Sequence, residues 1–287
     1  MIPAAFDYVR STTLSAAITA LRQHGTVAKV LAGGHSLLPM MKLRFATPDV
    51  LIDVNELSEL KGISVSEGEV AIGAATTHAT LEHHGQIAAA LPLIALMAPL
   101  IADATVRNRG TLGGAIVHSD PTADWPAAML ALDAVVDLAG PDGERSIAAE
   151  DFFKGLFEND LGPEEILVRA RIPLQKGARA SYRKFRHPAS GYAVVGVAVV
   201  LHMKGERCIG GRIAATGFAD HAFRAKAAAE ALLAGYDGQP QHSDRIVEQA
   251  FEDVVPLEDR FADAEYRLQL GRTMLRRALA DAAAVRP

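Results

Sequence analysis

The stretch KVLAGGHSLL, residues 29–38, decides the first part of the fold. A short apolar strand, predicted over residues 27–31, runs into two adjacent glycines and a polar pair, and an apolar run follows that can turn helical. Because Gly33 and Gly34 lack a Cβ atom, successive backbone N–H groups can converge on one point and a ligand can approach the main chain. Ser36 adds a hydroxyl. The pattern indicates a phosphate-binding loop that needs no lysine, with an ordinary tight turn as the alternative.

A second pair of glycines lies in the polar stretch RNRGTLGGAIVHSDPTADWP, residues 107–126. Thr111 precedes Gly113 and Gly114, and Asp124 follows ten residues after them. Two glycine loops with neighbouring hydroxyls can clamp a diphosphate from two sides. Phosphates would repel a carboxylate, so we expect Asp124 to bind sugar or ribityl hydroxyls instead. Residues 32–36 are called the first loop below, and residues 110–114 the second loop.

The composition is that of an ordinary globular chain and argues against several functions. The chain has 287 residues, which corresponds to about two domains at roughly 100–200 residues each. A net charge of −5 argues against binding to nucleic acid, which usually needs a basic surface. The one cysteine, Cys208, cannot form an internal disulfide, hold an iron–sulfur cluster or build a cysteine zinc site. Any such centre in the protein's chemistry must belong to a partner chain.

Common catalytic and nucleotide-binding motifs are missing from the sequence. It contains no P-loop, no Rossmann glycine fingerprint, no HExxH metal motif and no GxSxG nucleophile motif. We therefore expect no metal site and no catalytic acid, base or nucleophile on this chain. The first residues lack a basic segment followed by an apolar core, which predicts no signal peptide and a cytoplasmic location.

Strand and helix patterns are mixed along the chain, which predicts an α+β protein. The apolar segment 87–102 is shorter than the roughly 18–20 residues that span a membrane and contains two prolines, so we expect a buried, kinked helix without a transmembrane segment. A proline and a polar stretch at residues 173–177 predict a domain junction. Beyond it we expect a three-stranded antiparallel sheet with helices packed on it, its strands at residues 180–185, 192–203 and 207–216.

The two loops and the later motif AEYR resemble one family. In AGGHSLLPMMKLR, RNRGTLGGAIVHSDPTADWPA and AEYR, the chain is similar to the FAD-binding medium subunits of molybdenum hydroxylases, the carbon monoxide dehydrogenase and xanthine dehydrogenase family. The resemblance implies a FAD-binding domain of the vanillyl-alcohol-oxidase (PCMH) type, with two α+β lobes, and a small C-terminal α+β domain. The expected domains are residues 1–175, with lobes at about 1–57 and 58–175, and residues 178–287.

The same resemblance implies a set of FAD-binding positions. The first loop would wrap the FAD diphosphate, the second would complete the clamp, and later positions would line the flavin site, contact the cofactor or lie beside its ring. These positions are Ala32, Gly33, Gly34, His35, Ser36, Thr111, Gly113, Gly114, Asp124, Leu167, Lys184 and Tyr192. The FAD is expected to be held non-covalently, although in some oxidases of the broader fold a histidine after the glycines links to the flavin.

Two positions depart from the family pattern. Ala115 stands where the family often has Asn or Ser, so a side-chain contact is lost there. Gly191 stands where the family often has Asp, directly before Tyr192. From the residues alone, Tyr192 can also be a core aromatic of a strand, and Lys184 can be a solvent-facing strand lysine.

The resemblance implies an electron-transfer subunit. A large partner chain would carry the molybdenum cofactor, and a small partner would carry two [2Fe–2S] clusters that pass electrons to the FAD of this chain. An external acceptor would reoxidise it, and the complex would be a dimer of heterotrimers, with any membrane association made through the acceptor. Two alternatives stay open: a stand-alone FAD-dependent oxidase or dehydrogenase of the same fold, and a non-redox subunit that has lost its flavin.

Overall fold

The computed structural model describes residues 2–284, and its first lobe is built on a small parallel sheet. Strands β1 (Asp7–Arg10), β2 (Ala28–Leu31) and β3 (Val50–Asp53) pair in the order β1-β3-β2. Helix α1 (Leu14–His24) connects β1 to β2, and helix α2 (Leu37–Lys42) follows β2. Because all three strands run in the same direction, the segments that leave β2 and β3 emerge at one edge of the sheet. The first loop lies at that edge.

The second lobe is built on an antiparallel sheet of five strands in the order β4-β5-β10-β6-β7. A small hairpin, β8 and β9, lies between β7 and β10 in the chain. The strands of this lobe are β4 (Ile63–Val65), β5 (Glu69–Gly73), β6 (Val135–Gly140), β7 (Gly143–Ala148), β8 (Phe153–Gly155), β9 (Glu158–Asn159) and β10 (Ile166–Pro173).

Short helices between β5 and β8 cover this sheet. They are α3 (His78–His83), α4 (Gly85–Ala90), α5 (Pro92–Met97), α6 (Ala104–Arg109), α7 (Leu112–His118), α8 (Asp124–Ala131) and α9 (Ala149–Phe152). The single kinked helix expected over residues 87–102 is therefore wrong. Pro92 begins α5 and Pro99 lies in a 3₁₀ turn, because proline has no N–H to donate and disfavours a helical residue before it.

The C-terminal part is an antiparallel sheet with helices packed on it. Its strands are β11 (Ala178–Arg186), β12 (Ala193–Lys204), β13 (Arg207–Thr216) and β14 (Phe223–Arg224), and its helices are α10 (Lys226–Leu233), α11 (Asp244–Gln249) and α12 (Ala264–Ala284). The sheet has four strands rather than the three expected. The fourth pairs only two residues with β13, and a strand of two residues leaves no periodic signal in the sequence.

Strand β12 is covered on both faces. Residues Ala193 to Leu201 are all buried. Ala198 and Val200 belong to the apolar core that includes α8, whereas Val197 and Val199 belong to the core that includes α12. A strand covered on both faces reads as a continuous apolar run, as this one does.

The segment between β10 and β11 lies at the predicted domain junction. The division into residues 1–175 and 178–287 stays a prediction; its outer ends, residue 1 and residues 285–287, lie outside the described residues. In the described part of the chain, no helix is both long enough and apolar enough to cross a membrane.

Candidate functional site

A cleft of about 570 Å³ lies between the two lobes and the start of the C-terminal part. This volume falls within the range of about 300–1,000 Å³ that is usual for small-molecule and cofactor sites. The first loop, the second loop and the segment before β12 all contribute to its walls. Of the predicted site residues, those that line it are Ala32, Gly33, Gly34, His35, Ser36, Thr111, Gly113, Gly114, Asp124, Leu167 and Tyr192. Lys184 lies behind this wall.

The first loop offers a run of free backbone donors. Among the described residues, no acceptor is found for the backbone N–H groups of residues 33–36. Gly34 has a φ of +76°, which turns the chain so that successive N–H groups form a concave site for an anion. Asn55, on the segment after β3, donates to Ala32 O at 2.9 Å and fixes the loop from behind. The loop therefore has the form expected of an anion site.

The first loop also packs directly against the second. A Cβ atom on Gly33 would lie 2.2 Å from Arg109 O and 2.8 Å from Gly110 Cα. His35 Nε2 donates to Thr105 O at 3.2 Å, which is a second tie between the first loop and α6. Gly33 thus lacks a side chain because another backbone occupies that space, which the sequence pattern did not predict.

The backbone N–H groups of the second loop are bonded to other groups of the protein. Leu112 N donates to Thr76 O at 2.9 Å, and Gly113 N donates to Ala74 O at 2.8 Å. Gly114 N donates to the Thr111 hydroxyl at 3.2 Å, so Thr111 is the N-cap of α7. The backbone donors of residues 112–114 are therefore used within the protein, and a diphosphate clamp that includes the second loop stays a prediction.

Asp124 is the first residue of α8 and lies in a buried polar cluster. Its Oδ1 accepts a hydrogen bond from Tyr182 at 2.5 Å, and its Oδ2 accepts one from Lys184 Nζ at 2.8 Å. Lys184 Nζ also donates to Leu100 O at 3.1 Å. Burial raises the pKa of the Asp124 carboxyl, and its contacts with Lys184 and Tyr182 oppose that rise. Lys184 is therefore a buried partner of Asp124 and not a solvent-facing strand lysine.

Tyr192 closes the cleft from the C-terminal part. It immediately precedes β12 and is 39% exposed, so it is not a fully packed core aromatic. Burial raises its pKa, and its hydroxyl interacts with the side chain of Ser36 on the first loop. Gly191 has a φ of +76°, and a Cβ atom there would lie 2.9 Å from an Arg186 guanidinium nitrogen. Leu167 lines the cleft from β10 and is buried.

Three further residues of the site were missed in the sequence. Tyr182 contacts Asp124, and His78 with Trp125 forms part of the cleft wall. Trp125 Nε1 donates to His78 Nδ1 at 3.0 Å. These partners are far apart in the chain, so no local pattern could have paired them.

The residues of the cleft fit FAD. The free N–H groups of the first loop suit a diphosphate, and the glycines let it approach the backbone. Tyr192 lines the same cleft, where an aromatic side chain can pack on a flat ring. Among the described residues, no cluster of three or more His, Cys, Asp or Glu side chains could hold a metal ion.

Two family models match nearly the whole chain. Residues 4–175 match the FAD-binding domain in molybdopterin dehydrogenase, and residues 180–282 match the carbon monoxide dehydrogenase flavoprotein C-terminal domain. The carbon monoxide dehydrogenase medium chain of Hydrogenophaga pseudoflava is 40% identical over 280 residues, 97% of each chain.

Solved structures agree with these matches. Carbon monoxide dehydrogenase from Hydrogenophaga pseudoflava superposes with a TM-score of 0.96 at 42% identity over 99% of each chain. Quinoline 2-oxidoreductase from Pseudomonas putida 86 superposes with a TM-score of 0.94 at 33% identity, over 99% of this chain and 98% of that one. The PCMH-type fold is confirmed, and the chain belongs to the FAD-binding medium subunits of molybdenum hydroxylases, the flavoprotein component that transfers electrons in these oxidoreductases.

Proposed function

We propose that the cleft holds FAD non-covalently, with its diphosphate on the first loop and its ring beside Tyr192. The observation that carries this proposal is that residues 33–36 line the cleft and that their backbone N–H groups have no acceptor among the described residues. Bound FAD supplies the one- and two-electron chemistry that joins an iron–sulfur donor to an external acceptor. The task of this chain is to bind the cofactor, orient it and shield it from water.

The other predicted residues support that task in different ways. The second loop sets the position of the first through its contact with Gly33. Asp124 uses one lone pair of each oxygen on Tyr182 and Lys184, and a carboxylate has about four such sites, so it can still accept from a ribityl hydroxyl. Its contact with β11 also holds the C-terminal part against α8. At Ala115, the backbone N–H is bonded to Thr111 O, and only the side-chain contact expected of Asn or Ser is missing.

We further propose that this chain works in a complex with two partners, a large chain with the molybdenum cofactor and a small chain with two [2Fe–2S] clusters. A single buried cysteine supports this division, since a cluster needs several cysteine ligands. Relatives named for carbon monoxide and for quinoline share this fold, which supports substrate choice on another chain. The assembly as a dimer of heterotrimers, the reoxidation by an external acceptor and the cytoplasmic location stay predictions.

One glycine tests the FAD site. Gly34→Ala places a side chain at a φ of +76°, which costs about 1–2 kcal/mol and disturbs the anion site. Gly143→Ala is the matched control, because Gly143 has a φ of +115° in an open turn between β6 and β7. In the purified complex we expect both variants to lose stability and only Gly34→Ala to lose FAD. Full FAD content in Gly34→Ala would overturn the placement of the diphosphate.

A kinetic experiment separates the subunit from a stand-alone oxidase. Under anaerobic conditions, the complete complex and the single chain supplied with FAD are each mixed with candidate substrates, and flavin absorbance is followed. We expect bleaching only with the partners present. Rapid bleaching in the single chain would replace the subunit interpretation with the stand-alone enzyme.

A further inference from the structure

His78 is a buried imidazole in the cleft wall with one nitrogen already assigned. It is the first residue of α3 and is 4% exposed. Its Nδ1 accepts a hydrogen bond from Trp125 Nε1, and an indole nitrogen can only donate. Nδ1 therefore carries no proton, and the neutral ring must carry its proton on Nε2. The hydrogen bond from Trp125 therefore fixes the tautomer of His78 and leaves Nε2–H as its donor.

The Nε2–H group lies beside the second loop. A Cβ atom on Gly110 would be 2.8 Å from Nε2, so the ring occupies the space that the missing side chain leaves. The backbone N–H of His78 donates to Gly110 O at 3.0 Å and fixes the residue there. Gly110 in turn is the residue whose Cα packs closest to Gly33. His78, Gly110 and Gly33 are thus successive neighbours, and both His78 and Gly33 line the cleft.

No protein acceptor for Nε2–H is found among the described residues, and this nitrogen is not one of their fully buried unpaired side-chain atoms, so it keeps some exposure where His78 lines the cleft. A donor in the wall of the cleft is open to water, and a ligand oxygen that enters the cleft can take the place of that water as its acceptor. We propose that His78 Nε2–H donates a hydrogen bond to a phosphate oxygen of the FAD diphosphate, which makes His78 a cofactor-binding residue. This inference rests on the proposed FAD site.

The charge state of His78 supports a neutral donor. Burial, with smaller effects from His35 and Arg107, lowers the pKa of His78 to about 4. The titratable groups that act on the ring are His35 of the first loop and Arg107 of α6, and Arg107 is paired with Glu82 of α3 at 2.7 Å. The ring therefore donates without gaining a charge at neutral pH.

Two substitutions at one position test the inference. His78→Phe removes the donor and keeps a ring, whereas His78→Gln keeps an N–H donor. The complex of each is stripped of FAD, and rebinding is followed by quenching of flavin fluorescence. Loss of a hydrogen bond to a charged group predicts an affinity at least about tenfold lower for His78→Phe. His78→Gln should restore affinity to within about threefold of the wild type, and melting of the FAD-free forms checks folding.

Three outcomes would overturn the inference. The first is unchanged affinity in His78→Phe, which would mean that water alone satisfies Nε2–H. The second is equal loss in both variants, which indicates a packing role. The third is an affinity that rises on acidification from pH 8 to 6 in the wild type but not in His78→Gln, which would show a charged ring. If Gly34→Ala loses FAD while His78→Phe keeps it, the FAD site stands and only the role of His78 fails.

Discussion

The two glycine loops share a sequence pattern but use their backbones differently. In the first loop, the N–H groups of residues 33–36 have no acceptor among the described residues. In the second, the N–H groups of residues 112–114 are bonded to Thr76, Ala74 and Thr111. The first loop therefore keeps its backbone donors available for the proposed ligand, whereas the second uses its donors to hold its own shape and that of its neighbour. Identical dipeptides can serve these two purposes, because a missing Cβ admits either an anion or another backbone.

The contact between the loops gives the largest expected effect. Gly33→Ala would bring a Cβ atom to 2.2 Å from Arg109 O, and a backbone atom cannot move aside cheaply. We expect a loss of about 3 kcal/mol or more in unfolding free energy, together with loss of FAD. Gly68→Ala is the control, since its Cβ would meet nothing within 4 Å. Equal unfolding free energies of the two variants in denaturant titrations would contradict the close contact between the first and second loops.

A pH experiment tests the residue that supports the second loop. The pKa of His78 is about 4 in the folded protein and about 6.5 when unfolded, so the unfolded chain binds more protons between these values. Stability is therefore lost as the pH falls from about 6.5 to 4. We expect this loss to be about 2–4 kcal/mol larger in the wild type than in His78→Gln. Parallel pH profiles of unfolding free energy would contradict a buried neutral imidazole.

Removing the N-cap of α7 tests whether the second loop also contributes to FAD binding. Thr111→Val deletes the hydroxyl that caps α7, which should cost about 1 kcal/mol. Thr13→Val is matched to it, because Thr13 caps α1 in the same way. The Thr111 oxygen accepts from Gly114 N, and its own O–H has no acceptor among residues 2–284, so we expect a two- to tenfold loss of FAD affinity, about 0.5–1.5 kcal/mol, only in Thr111→Val. Equal affinities would reduce the second loop to a purely structural element.

The smallest effect is expected in the first loop. The Ser36 hydroxyl makes no capping bond to α2, so Ser36→Ala should change stability by less than about 0.5 kcal/mol. A lost contact to the diphosphate should still weaken FAD binding by about two- to tenfold. Tyr192→Phe separates the two neighbours of this hydroxyl, because it removes only the contact with Tyr192. An unchanged FAD affinity in Ser36→Ala would assign the serine to Tyr192 alone.

The sequence predicted the parts of the site that are local in the chain. Both loops could be recognised because glycines and hydroxyls stand a few residues apart. The residue pattern pointed to Asp124 and the family resemblance to Lys184, but the contact between them joins residues 60 positions apart. Tyr182 and His78 carry no local signal, since their partners come from distant elements. The fourth strand, β14, was missed for the opposite reason: it is local but too short to show a period.

Strand β12 has a consequence for how the protein unfolds. Its two faces belong to two different apolar cores. If β12 leaves either core, the apolar residues of both cores become exposed to water. Although two family models divide the chain near residue 178, heat should melt both parts in one cooperative transition. A chimera that takes its C-terminal part from a relative should then fold only if the residues of β12 that pack on α8 fit the α8 of the host chain. The point at which the sequence divides into two families is not a point at which the structure divides into two units that unfold separately.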